Sequence, residues 1–420
     1  MQKFIILLVI FTLVSPLFSA EILSWNDVLK ESMQSNPQLK QVELNLQQTK
    51  LKLEQARSEF YPQISLGATV GKNYQENFES ETNYSYNLSL GLTLFSGFSR
   101  INNLRLQIVE LQIMQENYKR ILANLIAELK EKFINVYYAQ ELVNLAEKIL
   151  RRRKQNYELV KLKYESGRED IGSLLRVEAD MMQAEYELRK AKRNFQQAVR
   201  ELLKTIGREN FVEIKVNTNF GLTEDINKLI LKDVETQIAS IPEYRIKQYQ
   251  LAKAKIQTKI TKSNFYPTIS VSAGYGLIDT KPIPEANRWN LSLGLRTSYN
   301  IFNGLKDIND LKIANINIKT AEIDLYDTKL TLRYNLLSLQ NDFLDLKESI
   351  NVKEKYLQAL EKQAEIISVK YANGLATYYD WYQTEDSFIN SQKNLLNLKK
   401  ELIIAEINLR KFLAIFEEIK

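Results

Sequence analysis

Residues 86–94 read Tyr-Asn-Leu-Ser-Leu-Gly-Leu-Thr-Leu, and this strict alternation decides the fold of the chain. Successive side chains of a β-strand point to opposite faces of the sheet, so the large apolar residues fall on one face and the small polar residues on the other. Further segments alternate in the same way. We therefore predict four strands, at about residues 61–71, 84–96, 266–277 and 288–302.

Two features favour strands in a membrane, although a soluble sheet with one wet face is the commoner origin of such alternation. Each segment has about 10 residues, which is the length that a tilted transmembrane strand needs. Aromatic residues stand at the segment ends, as in the girdles at a lipid boundary; they are Phe60, Tyr61, Tyr84, Tyr86, Phe95, Trp289, Tyr299 and Phe302. The alternation places Arg296 on the polar face of its strand. If the strands form a membrane barrel, this residue would line the barrel lumen or lie near a rim.

Four strands are too few to close a transmembrane barrel, because the smallest such barrels have about eight. An open sheet edge in lipid would leave backbone N–H and C=O groups without partners. If the strands span a membrane, several chains must therefore share one barrel. Three chains would supply twelve strands, but the alternation alone does not fix that number.

The chain reads as an internal duplication. Corresponding segments follow in the same order in both halves, with residues 60–65 matching 265–270, residues 87–92 matching 290–295, and residues 164–167 matching 371–374. The predicted repeats are residues 21–220 and 221–420, each with a helix, two strands and a helical hairpin. Within residues 1–20, Lys3 is followed by an apolar run from Phe4 to Val14, which predicts a signal peptide.

Heptad spacing predicts long coiled-coil helices. An apolar seam in the second half steps by four and three, through Leu332, Leu336, Leu339, Phe343, Leu346 and Ile350. This period specifies left-handed supercoiling against neighbouring helices. No proline or glycine interrupts residues 307–371, so a helix of on the order of 95 Å is expected. A cytosolic coiled coil would show the same heptads, but the signal peptide and the strands count against it.

The helices are predicted to break at Gly167 and Gly374, because glycine fits the left-handed turn past a helix end. Downstream helices then run back, from Leu174 and from Trp381, so that hairpin tips lie at about residues 164–173 and 371–380. The expected fold is mainly α with a small β part, dominated by long antiparallel helical hairpins.

The composition excludes several classes of function. The chain has no Cys and no His, which excludes disulfides, Cys/His zinc sites and imidazole bases. Its 57 Lys and Arg are mixed with 51 Asp and Glu, which indicates solvated helix faces rather than a nucleic-acid-binding arm. No carboxylate pair stands apart from these surface charges, so we expect neither an enzyme nor a bound cofactor or metal.

The repeated halves, the strands after each Phe-Tyr-Pro segment, the Phe-x-Gly strand exits and the Tyr-x-x-Gly tips together resemble the TolC-type outer-membrane efflux family. The resemblance covers essentially the whole chain after residue 20. It implies a homotrimer with a shared twelve-stranded transmembrane β-barrel and a periplasmic α-barrel built from the coiled-coil hairpins.

The resemblance also implies a function. Such a protein would be a passive, porin-like export duct in the outer membrane, with most of the chain in the periplasm. It would serve a tripartite efflux or type I secretion system with an inner-membrane pump and a periplasmic adaptor, and would need no cofactor. The alternative is a soluble periplasmic coiled-coil adaptor or scaffold protein.

Site residues follow from the resemblance, because family members dock the adaptor and form their entrance at the hairpin tips. The implied docking residues are Tyr164, Gly167, Tyr371 and Gly374, and the implied periplasmic entrance or gate residues are Tyr379, Asp380, Trp381 and Gln383. Asp380 matches a family aspartate that narrows the entrance, whereas Gln383 stands where a second aspartate can occur. Two alternatives stay open: Asp380 could cap a helix N-terminus, and the aromatic residues could pack together instead of constricting a pore.

Overall fold

The structure is a computed structural model of the chain. It describes residues 21–72, 74, 81–208, 210, 214–216, 226, 233–285 and 289–416. The predicted signal peptide at residues 1–20 and most of the connection between the two halves lie outside the described residues.

The described part of the chain is mostly helical with a small antiparallel sheet, as the sequence predicts. The helices are α1 Trp25–Ser35, α2 Pro37–Ser58, α3 Ser99–Glu165, α4 Ile171–Ile206, α5 Val234–Ser240, α6 Pro242–Lys262, α7 Lys306–Ala372 and α8 Tyr378–Leu413. The strands are β1 Glu21–Leu23, β2 Gln63–Lys72, β3 Thr82–Ser96, β4 Ile214–Val216, β5 Thr268–Asp279 and β6 Trp289–Ser298. The long helices α3 and α7 each have 67 residues, and α4 and α8 each have 36.

The chain divides into two compact units. The hairpin unit comprises the described residues within 1–36, 128–222 and 346–404. The sheet unit comprises those within 37–127, 223–345 and 405–420. The first unit holds both hairpin tips, and the second holds β2, β3, β5 and β6.

The sheet of the sheet unit has the strand order β2-β3-β5-β6, and every neighbouring pair is antiparallel. Its register places the apolar residues opposite one another, as in the row formed by Leu66, Leu88, Tyr275 and Leu291. A large apolar face therefore continues across all four strands, as the alternation predicts.

The alternation fails at one point. The register between β3 and β5 shifts between Thr93 and Phe95, so Phe95 rather than Leu94 lies opposite Ile269. A β-bulge inserts one residue into a strand and reverses the faces of the residues after it. The strict alternation of β3 therefore holds up to Thr93, and the bulge places Phe95 in the apolar row with Ile269.

The predicted heptad seam of α7 is buried at Leu332, Leu336, Phe343 and Ile350. These side chains repeat along one face of the helix, which is how a coiled-coil seam packs. None of the described helices is both long enough and apolar enough to cross a membrane. Helix α8 begins at Tyr378, three residues before the predicted start at Trp381.

Candidate functional site

The two hairpin tips end their long helices in the same way. Gly167 has a φ angle of 71° and Gly374 one of 77°, a left-handed conformation that side chains with a Cβ rarely adopt. At the first tip, the Arg168 N–H donates to the Lys163 carbonyl at 2.8 Å. The equivalent bond at the second tip joins Leu375 to Lys370 at 2.7 Å. These are Schellman turns. Both long helices therefore end at the predicted glycines, because glycine adopts the left-handed conformation that the turn requires.

The helices that leave the tips are capped by different side chains. The Asp170 carboxylate accepts a hydrogen bond from the Ser173 N–H at 2.9 Å, and this bond lowers the pKa of Asp170. At the second tip, the Asp380 N–H donates to the Thr377 hydroxyl oxygen, and that hydroxyl donates to the Asp380 carboxylate at 2.6 Å. Thr377 thus caps α8, and the alternative that Asp380 is the N-cap is wrong, because Asp380 is the third residue of the helix.

An aromatic cluster fills the inside of the second tip. The rings of Tyr371 and Trp381 stack with centroids 4.6 Å apart, and their side chains are only 3% and 1% exposed. The Trp381 ring N–H donates to the Ser368 hydroxyl, and the Tyr371 hydroxyl donates to Glu169 at 2.6 Å. Burial, followed by the contact with Glu169, raises the pKa of Tyr371.

This burial corrects two site predictions. A side chain that is 1% exposed is not available to constrict a pore. Trp381 therefore packs against the other aromatic residues of the tip, as the second alternative predicted. Tyr371 is 3% exposed, so its side chain is covered by the tip and offers little surface to a docking partner. Its counterpart in the first repeat, Tyr164, is 39% exposed and remains a candidate docking residue.

The remaining tip residues form an exposed group. Tyr379 is 69% exposed, and Asp380 and Gln383 are also exposed on the first turns of α8. Residues three and four apart share one face of a helix, so these three side chains lie together on the surface. Both tip glycines are exposed as well.

A buried ion pair that the sequence analysis missed lies behind the aromatic cluster. Glu385, whose side chain is 1% exposed, accepts two hydrogen bonds from the Arg152 guanidinium, at 2.5 and 2.6 Å. The Ser368 hydroxyl and the Asn156 amide also donate to the same carboxylate. The pair therefore ties α3, α7 and α8 together. The sequence did contain a signal that Glu385 is buried, because this residue falls four positions after Trp381 on the apolar face of α8.

A second layer of charges joins α3, α4 and α8 next to this pair. Arg153 lies 2.8 Å from Asp386 and 3.4 Å from Asp180. Arg176 donates two hydrogen bonds to the Tyr382 hydroxyl, at 3.1 and 2.9 Å. Planar guanidinium groups suit such multiple contacts. Among the described residues, no group of His, Cys, Asp or Glu could hold a metal ion.

Arg296, the predicted lumen residue, lies in the sheet unit. It is exposed on β6 and stands opposite Ser270 of β5. Its position on the polar face agrees with the predicted alternation.

Comparisons with known proteins agree with this architecture. The family model for outer membrane efflux proteins matches residues 28–208 and 239–414. A probable outer membrane lipoprotein of Salmonella typhimurium, SilC, is 21% identical over 383 residues, covering 87% of this chain and 81% of its own. The outer membrane protein TolC of Salmonella enteritidis is 22% identical over 415 residues, covering 93% and 82%.

The fold has close counterparts among solved structures. The outer membrane protein VceC of Vibrio cholerae superposes with a TM-score of 0.80 at 17% identity, covering 93% of this chain and 95% of its own. At that level of identity the likeness shows the fold alone.

Proposed function

Because this chain belongs to the outer membrane efflux protein family, whose members are channel proteins rather than enzymes, we propose that it is one subunit of a trimeric export duct. The sheet carries this proposal. Of the residues in β2, β3, β5 and β6, only Asp279 is buried. A sheet with one continuous apolar face and no core beneath it is suited to a lipid environment.

The sheet edges support sharing between copies. Within the described part of the chain, β2 and β6 each have one strand neighbour, so both outer edges are unpaired. An unpaired edge in lipid is costly because its backbone groups have no partners. Pairing β6 of one copy with β2 of the next removes both edges, and three copies close a barrel of twelve strands. In this proposal the polar face lines the lumen.

A second heptad stripe on α7 supports the same assembly. Five exposed residues of the sheet unit repeat every seven positions, namely Ile316, Ile323, Leu330, Leu337 and Leu344. They are separate from the buried seam at Leu332 and Leu336. Heptad stripes pack against other helices, and the proposed occupant is a helix of the neighbouring copy.

The tips are the proposed entrance. Tyr379, Asp380 and Gln383 would face the periplasmic opening, while Tyr164 and the surface around Gly167 and Gly374 would receive a periplasmic adaptor. The energy for export would come from an inner-membrane pump, in an efflux or type I secretion system. The equal helix lengths of the two halves favour an origin by duplication.

Two arginine variants of neighbouring strand residues test the face assignment. Leu90→Arg places a charge on the apolar face, at a cost of about 2–4 kcal/mol near the bilayer midplane. Ser89→Arg places the same charge on the polar face. We expect the first variant to lose outer-membrane assembly and the second to retain it, measured by membrane fractionation and by detergent-resistant trimers. Recovery of the wild-type protein as a soluble monomer would favour the adaptor alternative and contradict the proposal of a trimeric export duct.

A second pair of variants tests the stripe on α7. Ile316→Glu introduces a charge into the stripe, whereas Asn317→Glu adds the same charge at an exposed position outside it. Only the first is expected to weaken the trimer, measured by mass photometry in detergent. Equal oligomeric states for both variants would argue against the stripe as a subunit contact.

A further inference from the structure

The polar face of the sheet is nearly free of charge. Apart from Ile278 and Arg296, its side chains are short hydroxyls, amides and glycines, as in Ser65, Asn87, Ser272 and Gly294. Arg296 is the one charged residue on this face among the residues of β2, β3, β5 and β6. Its cross-strand neighbour Ser270 and the next residue along that row, Thr93, carry only short hydroxyl side chains.

Glycines on the polar face lie close to side chains of neighbouring strands. A Cβ added to Gly274 would come within 2.8 Å of the Ser292 hydroxyl oxygen, and one added to Gly276 within 2.7 Å of the Asn87 side-chain oxygen. The side chains of adjacent strands therefore lean towards each other over these glycines. Glycine leaves room for the neighbouring side chain at these two positions, whereas Gly67 and Gly91 on the same face have no heavy atom within 4 Å of an added Cβ.

Within the described part of the chain, no acidic side chain neutralises the Arg296 guanidinium. Ser65 and Ser89 hydrogen-bond to each other across this face at 2.7 Å. Arg296, in contrast, makes no hydrogen bond or ion pair with any described residue, and its strand is exposed. The guanidinium of an arginine is a permanent charge in proteins, so the full charge acts on the space in front of the polar face.

We propose that Arg296 makes the strand-lined part of the duct selective for anions, so that this section favours anionic over cationic solutes. This rests on the proposed function, since a trimer brings three Arg296 side chains around one lumen. Uncharged hydroxyls and amides elsewhere on the face add no opposing charge. Arg296 is thus a specificity-determining residue that acts on passing solutes through its field.

The expected size of the effect follows from electrostatics. Three unit charges about 10 Å from the axis, in water and screened by about 0.1 M salt, change the local anion-to-cation ratio about fourfold. In about 1 M salt the Debye length falls to about 3 Å, and the effect nearly vanishes. Anion preference that fades with salt is therefore the signature of this arginine.

The test is the reversal potential of the purified full-length trimer in planar bilayers under a potassium chloride gradient. Arg296→Gln is expected to lower the chloride-to-potassium permeability ratio about fourfold near 0.1 M salt, with little change near 1 M. Arg296→Lys should retain the wild-type ratio. The double variant Arg296→Gln with Ser270→Arg moves the charge to the adjacent position on the same face, and should restore the ratio.

The outcomes separate this inference from the proposed function. Conducting Arg296→Gln channels with an unchanged ratio at low salt would overturn the selectivity role while leaving the duct intact. Wild-type protein that forms trimers but never conducts would instead count against the duct itself. If Arg at position 270 restores the permeability ratio, the charge on this face determines the selectivity. A merely structural role of Arg296 could not be transferred to another position.

Discussion

The buried pair between Arg152 and Glu385 gives the sharpest stability prediction. Glu385→Gln keeps the size of the side chain but removes the negative charge that faces the Arg152 guanidinium. Breaking a buried ion pair by removing one partner costs about 3–5 kcal/mol. The Arg152 side chain is 33% exposed and keeps some contact with water, so we take the lower end of that range, about 3 kcal/mol.

Hydrogen–deuterium exchange of the full-length trimer measures this cost locally. A loss of about 3 kcal/mol corresponds to roughly 100-fold faster exchange through local opening. The acceleration is expected in peptides around residues 152 and 385, because the pair joins those helices. Peptides from the four strands of the sheet unit should exchange at the wild-type rate.

Two further variants control this experiment. Asp386→Asn removes the neighbouring carboxylate, which is 43% exposed, while Arg153 keeps its contact with Asp180; we expect a loss below about 1 kcal/mol. Arg152→Met combined with Glu385→Gln leaves no buried charge unpaired and should recover most of the loss. Equal acceleration in the Glu385 and Asp386 variants, or no recovery in the double variant, would refute the reasoning.

Three other predictions concern the second tip. Tyr371→Phe deletes the hydrogen bond to Glu169 and should cost about 1.5–3 kcal/mol of stability. Tyr378→Phe, in contrast, removes a buried hydroxyl without a partner and should be neutral or stabilising. The hydrogen–deuterium exchange rates of peptides from the second tip compare the stabilities of the two variants. Burial raises the pKa of Tyr378 from 10.0 to about 12, so the folded state disfavours ionisation of this side chain and loses stability only as the pH rises from 10 towards 12. An ultraviolet difference titration against Tyr378→Phe measures this ionisation, and a midpoint near pH 10 would contradict it. Gly374→Ala should cost about 1–2 kcal/mol because of the left-handed backbone, and an unchanged melting temperature would argue against this conformation.

The sequence predicted those features that depend on neighbouring residues along the chain. Alternation in residues 86–94 is local, so the strand and its faces were readable up to Thr93. The ends of α3 and α7 were readable from Gly167 and Gly374, because few other residues adopt their backbone angles. The start of α8 was also readable, since Thr377 and Asp380 have the spacing of a capping box, but this signal was missed.

Other features depend on which elements meet in space, and only the tertiary structure decided them. The bulge at Leu94 depends on where β5 pairs with β3, and no residue of β3 alone specifies that register. Tyr371 and Tyr379 are the same residue type in one tip, yet one is buried and the other exposed, because a stacked ring covers only the first.

By itself, the sequence determined the strands, the long helices and their breaks, because alternation, heptads and glycines act over a few residues. The tertiary structure decided which tip residues face solvent and which charges pair inside. Glu385 shows the reason: its position on an apolar helix face is visible in the sequence, but its partner Arg152 lies 233 residues away. Only the packing of α3 against α8 brings the two together.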